Sequence, residues 1–384
     1  MAVVVWFFVL AGKYAQPGAW IWAAFLVILF ARMVSTENWS RYRRFFQVAF
    51  AVLFTISFIG ILYDERGSMS IAADTVQKSE IPFCQIVTPI IMIPYALTKT
   101  IIFPARVIGH FAAIVSMLLI WFLATVTIGR GWCGWVCFYG GWEDGVSRIA
   151  KKARVNVLSK NRDIRAFQSA FLFFIILVSV AFMSSVYCEW FCPFKIVTEF
   201  SPITDIASLL ATIAFIGLFL GLVIVMPFLT RKRFQCSSLC PFGGFQSLVD
   251  RFSGYRIFID SEKCVGCMRC AEACPFCAID RETIAEGRGR PERTCAKCGE
   301  CVSACPKGAI RFEFASALRK GTDGKISACA RPEAKTAFGK GVQRLLEAKY
   351  LFAFSAFTFA VVISSKFGPD AIGRVFGALA GGWK

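Results

Sequence analysis

The stretch CVGCMRCAEACPFCAI occupies Cys264–Ile279, and CAKCGECVSACPKGAI occupies Cys295–Ile310. The two superimpose at one constant offset, from Cys264 on Cys295 to Ile279 on Ile310, which makes them an internal repeat. Both follow C-x2-C-x2-C-x3-C-P: Cys264, Cys267, Cys270 and Cys274-Pro275, then Cys295, Cys298, Cys301 and Cys305-Pro306. Thiolates at this spacing hold [4Fe–4S] cubanes, and the fourth cysteine of each run ligates the other cluster. Cys264, Cys267, Cys270 and Cys305 are therefore expected around one cluster. Cys295, Cys298, Cys301 and Cys274 are expected around the second. The rival is a pair of structural zinc sites, but zinc knuckles usually contribute two ligands each, not three plus a Cys-Pro. Cys277 breaks the repeat, standing where Gly308 stands in the second half. It reads as a buried free thiol beside a cluster, with a ligand role as the alternative.

The rest of the chain is greasy. Of 384 residues, 57% are hydrophobic and 40 are Phe, and the mean hydropathy is +0.60. A soluble domain of this length does not look like this. Apolar stretches long enough to cross a bilayer recur at Tyr14–Ala31, Phe45–Tyr63, Val107–Gly129, Ala166–Cys188 and Ile206–Thr230. A sixth, Tyr350–Ser365, is short but extendable by snorkelling Lys349 and Lys366. Met1–Gly12 is too short to span alone and has no basic stretch before it, so it does not read as a cleavable signal. Ile81–Thr98 is interrupted by Pro82, Pro89 and Pro94, which suits a broken or re-entrant segment.

Basic residues alternate with the spans. Arg32, Arg41, Arg43 and Arg44 follow the first, Arg130 to Arg165 the third, and Arg231-Lys232-Arg233 the fifth; the loops between are acidic. The positive-inside rule then puts the basic loops and the eight-cysteine region in the cytoplasm. The net charge of +18 is accounted for by topology and anionic lipid, without nucleic acid.

Three further cysteine pairs share C-x3-C spacing: Cys133/Cys137, Cys188/Cys192 and Cys236/Cys240. On a helix, positions i and i+4 face the same way, so each pair offers two sulfurs to one site. Cys133, Cys137, Cys236 and Cys240 are expected at one membrane face, a full set of four thiolates, against the alternative of reduced packing cysteines. Cys188 and Cys192 are expected at the opposite face with Cys84, as a metal site completed by a partner or as a disulfide or free thiols. His110 is the only histidine, so a bis-histidine haem cannot be held by this chain alone. It reads as a packing residue or one near a quinone. No GxGxxG loop and no P-loop occur.

The motifs WCGWVC and CSSLCP, followed by the double-cubane ferredoxin run, resemble the membrane polyferredoxins of the NapH and NosR type. The likeness covers roughly Val107 to Ile310. It implies electron transfer between a quinol or cytoplasmic donor and an extracytoplasmic reductase, or support for maturing such an enzyme. Cys133, Cys137, Cys236 and Cys240 match the family's membrane-edge motifs, and the eight repeat cysteines match its clusters. This chain departs in having Phe138 after Cys137, an additional CEWFCP pair and no flavinylation motif.

The reading is an all-α polytopic membrane protein of about six transmembrane helices plus the proline-broken segment, with an α+β two-cluster ferredoxin domain before the last helix. Residues 1–250 form the transmembrane domain, 251–315 the ferredoxin, 316–345 a linker, and 346–384 the last helix and tail. The expected function is an iron–sulfur electron-transfer subunit of an oxidoreductase complex. It would pass electrons between a ferredoxin- or flavodoxin-like or quinol donor and a membrane or extracytoplasmic partner. Alternatives are a maturation factor that reduces metal or thiols, and a quinol dehydrogenase subunit. Expected cofactors are two [4Fe–4S] clusters and one or more additional iron–sulfur clusters at the membrane cysteine pairs. Expected partners are other redox subunits, flavin-bearing ones among them, or soluble carriers, with quinone, membrane lipid and a homodimer or hetero-complex open. The setting is the cytoplasmic membrane of a bacterium or archaeon.

Overall fold

A computed structural model describes residues 1–66, 111–157, 161–182, 186–198, 203–287, 289–320, 326–328 and 343–380. The proline-broken segment, Cys84 and His110 lie outside the described residues.

Its main helices are α1 (Pro17–Thr36), α2 (Trp39–Arg66), α3 (Phe111–Thr127), α4 (Gly131–Trp135), α5 (Tyr139–Val146) and α6 (Asn161–Phe182). After these come α7 (Ile206–Thr230, widened to π geometry over Phe219–Val225), α8 (Phe234–Ser238) and α9 (Pro241–Val249). The repeat region follows as β1 (Tyr255–Ile259), α10 (Arg269–Ala273), α11 (Glu300–Ala304) and β2 (Ile310–Phe314). The last helix, α12, spans Ala348–Leu379.

Among the described residues, five helices are long and apolar enough to cross a membrane: α1, α2, α6, α7 and α12. The stretch expected as the third span, Val107–Gly129, holds α3, of 17 described residues, and adjoins residues outside the description. The C-terminal helix differs from expectation. It is 32 residues long, runs through Pro369, and carries Lys366 in its interior rather than at its end. Close packing holds the proline in place. Gly18 of α1 lies so near the Pro369 carbonyl that any side chain there would collide, and Gly368 lies flat on Trp22. Small residues let helix backbones approach in this way.

The repeat region has backbone symmetry to match its sequence. Gly266 and Lys297, Met268 and Gly299, and Cys277 and Gly308 are equivalent positions, and all six have positive φ. Strands β1 and β2 pair antiparallel, from Tyr255 opposite Phe314 to Ile259 opposite Ile310. Phe352 of α12 fixes this sheet to the bundle. Its fully buried ring packs on Phe312, Tyr255 and Trp135 at centroid distances of 4.9, 5.5 and 5.7 Å.

Candidate iron–sulfur sites

Cys264, Cys267, Cys270 and Cys305 line one small cavity of about 20 Å³. These are the four thiols that the cross-ligation rule groups together. Cys267 is exposed, and Cys264 and Cys305 are half-buried, so this set sits at the surface.

The second set is deep. Cys301 lies within electrostatic reach of Cys295, Cys298 and Cys274. Burial, reinforced by neighbouring thiols, pushes Cys295 up to about 12. Burial likewise pushes Cys298 up to about 12 and Cys301 well above the usual thiol range. Without metal these groups are neutral thiols, so loading a cluster releases protons. The backbone prepares both sets alike: Ala278 N–H donates to Cys274 Sγ at 3.4 Å, and Ala309 N–H to Cys305 Sγ at 3.3 Å. Such bonds to sulfur are a lever on cluster potential.

Cys277 is 1% exposed and sits beside Cys274 with φ 53°. Its carbonyl accepts from Arg165 at 3.0 Å.

The membrane pairs Cys133/Cys137 and Cys236/Cys240 converge. All four are buried, Cys240 lies within electrostatic reach of Cys133 and Cys137, and Cys236 within reach of Cys137 and Cys240. Helix α4 carries Cys133 with Cys137 just beyond it; α8 carries Cys236, and Cys240 caps α9, accepting from Gly243 N–H at 3.4 Å. Among the described residues, no three cysteine, histidine or acidic side chains close around a single metal ion. A cluster held by four thiolates is anionic, and the surroundings fit such a group. Arg233 is fully buried, its Nη2 is 3.5 Å from Cys236 Sγ, and its Nε and Nη1 have no hydrogen-bond partner.

The segments that carry the deep repeat set are docked on those that carry these membrane thiols. Trp135 Nε1 donates to the Lys297 carbonyl at 3.0 Å, and Arg233 N–H to the Pro275 carbonyl at 2.8 Å. A Cβ on Gly134 would come within 2.5 Å of the Ala296 carbonyl oxygen, so glycine permits the contact. Lys232 Nζ donates to the Cys274 carbonyl at 2.7 Å.

Two residues that hold this junction were not singled out in the sequence. Arg43 of α2 is 1% exposed. It donates to Gly134 O at 2.6 Å, to Gln47 at 2.8 Å, to Asp144 at 2.9 Å and to Glu300 at 3.2 Å. Gln47 in turn donates to the carbonyls of Cys133 and Cys137, at 3.2 and 3.1 Å. The spacing Arg43-x3-Gln47, one helical turn within a span, was the available signal.

The CEWFCP stretch is placed differently from expectation. The chain doubles back after α6, so Tyr187 packs on Phe171, well within that helix, and accepts from Gln235 Nε2 at 2.9 Å. Gln235 immediately precedes Cys236, and Tyr187 lies within electrostatic reach of Cys188, Cys192 and Cys240. Cys188 and Cys192 therefore neighbour the four-thiol site instead of lying a bilayer away. Aromatic packing explains the return: Phe191 sits against Phe171, and Phe194 against Tyr139 and Phe219.

The comparisons with known proteins agree with this distribution of sulfur. A family model described as a 4Fe-4S dicluster domain matches residues 263–310. A model described as a 4Fe-4S binding domain matches three stretches, 110–156, 166–201 and 212–257, each containing one C-x3-C pair. An uncharacterized protein of Methanocaldococcus jannaschii is 28% identical over 216 residues, which cover 55% of this chain and 74% of that protein. YccM of Escherichia coli K12, provisionally named an electron transport protein, is 24% identical over 169 residues, covering 43% of this chain and 46% of its own length. No solved structure matches. Together with the apolar helices, these likenesses support an iron–sulfur electron-transfer role in a transmembrane chain.

Proposed function

We propose that this chain is a membrane-bound iron–sulfur subunit passing electrons between a soluble carrier or quinol on one side and a membrane or extracytoplasmic redox partner on the other. [4Fe–4S] clusters, when bound, supply one-electron reduction and oxidation. The observation that carries the reading is the docking of the segments bearing the deep repeat thiols on those bearing the membrane thiols, through Trp135, Gly134 and Arg233. Exposed Cys267 turns the surface set toward a soluble carrier. Cys274, Cys295, Cys298 and Cys301 form the middle set. Cys133, Cys137, Cys236 and Cys240 form the third, with Cys188 and Cys192 just beyond. Buried Trp135, Arg43 and Arg233 join the segments that carry the middle and third sets. The Lys/Arg asymmetry of the loops supports a cytoplasmic position for the repeat region.

Iron content tests this directly. Protein purified without oxygen is expected to hold more than the roughly eight iron atoms that two cubanes explain. Cys236→Ser is expected to remove only the excess. A plateau at the two-cubane value, unchanged in Cys236→Ser, would reduce the membrane cysteines to packing residues.

A further inference from the structure

We propose that the buried guanidinium of Arg233, assisted by Arg130, sets the reduction potential of the four-thiol site at Cys133, Cys137, Cys236 and Cys240, raising it by favouring the more negative, reduced state. The inference rests on the reading that these thiols hold a cluster.

The space for this charge is built into the fold. Gly140 lies so close that any side chain there would collide with Arg233 Nη2. The chain thus gives up a side chain on α5 to admit the guanidinium. Two anchors fix the arginine's position: its main-chain N–H on Pro275 O, and the face of Phe276, 4.6 Å from the guanidinium carbon. Its Nη2 points at Cys236 Sγ, and Nε and Nη1 bond to nothing else. Arg130 approaches the same ring at 5.8 Å and hydrogen-bonds Ser247 and Gln168, leaving Nε unpaired; its charge also reaches Cys133.

Two carboxylates lie nearby, and Glu143 also faces Cys236, so its negative charge opposes that of Arg233 there. Glu143 accepts from the amides of Gln235 and Cys236 at 2.7 and 3.1 Å, and Asp144 pairs with Arg43. They face Arg233 without hydrogen-bonding it. A cube held by four thiolates is anionic and gains one further negative charge on reduction. Away from water, a fixed positive charge acts on that difference with little screening. Net charge and hydrogen bonds to sulfur are established levers on cluster potential.

The test is an EPR-monitored redox titration of the full-length membrane protein, with iron counted in each sample. Wild type, Arg233→Lys and Arg233→Gln are compared. The expected result is a lower midpoint potential for the membrane-site signal in Arg233→Gln, a near-normal one in Arg233→Lys, and unmoved signals from the two repeat clusters. Should Arg233→Gln lose the membrane-site iron while Arg233→Lys keeps it, Arg130→Gln is titrated instead: a lowered midpoint potential supports the proposal and an unmoved one overturns it. Loss in both variants, or full iron with an unmoved potential in Arg233→Gln, overturns it and leaves Arg233 a packing residue. Wild-type iron at the two-cubane level marks the separate failure of the underlying reading, before any variant is compared.

Discussion

Cys277 shows how much one residue's backbone can decide. Its φ of 53° matches the 58° of Gly308, its counterpart in the second repeat. A left-handed conformation costs a non-glycine residue about 1 kcal/mol. The repeat therefore breaks at a position where glycine is the unstrained choice and cysteine is tolerated. Cys277→Gly is expected to keep the full iron content and to leave thermal stability unchanged or slightly raised. Iron loss in that variant would make Cys277 a ligand. The neighbouring residue-scale lesson concerns legibility. The ligand spacing was readable because thiolate geometry imposes fixed gaps along the chain. Arg43 and Arg233 were not readable as site residues, because an arginine beside a span looks the same whether it snorkels to lipid headgroups or turns inward. Only the packed partners Asp144, Glu300 and Cys236 distinguish the two.

At the scale of elements, α12 clamps the repeat region onto the bundle. Phe352 is the centre of that clamp, touching rings from α4, β1 and β2. Phe352→Ala removes a fully buried ring and is expected to cost about 3 kcal/mol. Thermal unfolding should shift down, and limited proteolysis should release the repeat region earlier than in wild type. An unchanged melting profile would mean that the other contacts suffice. The spans themselves were legible from apolar length, yet their ends were not. α12 continues past Ser365 because its Pro369 is held by Gly18, and the segment after α6 turns back because Phe171, Phe191 and Tyr187 pack together. Both outcomes depend on partners distant in sequence, which a local window of hydropathy does not contain.

For the whole molecule, the sequence pattern and the fold agree on a bundle with the repeat region at one end. The side of the membrane is then a matter of loop charge. Lys151 and Lys152 are exposed and lie at the same end as Arg231, which donates to the Lys151 carbonyl at 3.0 Å. A membrane-impermeant amine reagent applied to intact cells is expected to leave both lysines unlabelled and to reach them after lysis. Strong labelling before lysis would invert the proposed orientation and the electron path with it.

The central claim is that the deep repeat thiols and the membrane thiols form adjacent cluster sites in one electron path. Magnetic interaction between reduced clusters measures that adjacency directly. In fully reduced wild-type protein, the EPR signal of the deep repeat cluster is expected to be broadened by a neighbouring spin. In Cys236→Ser the broadening should vanish while both repeat clusters remain reducible by dithionite. Identical repeat-cluster spectra in wild type and Cys236→Ser, with excess iron present in the wild type, would contradict the account.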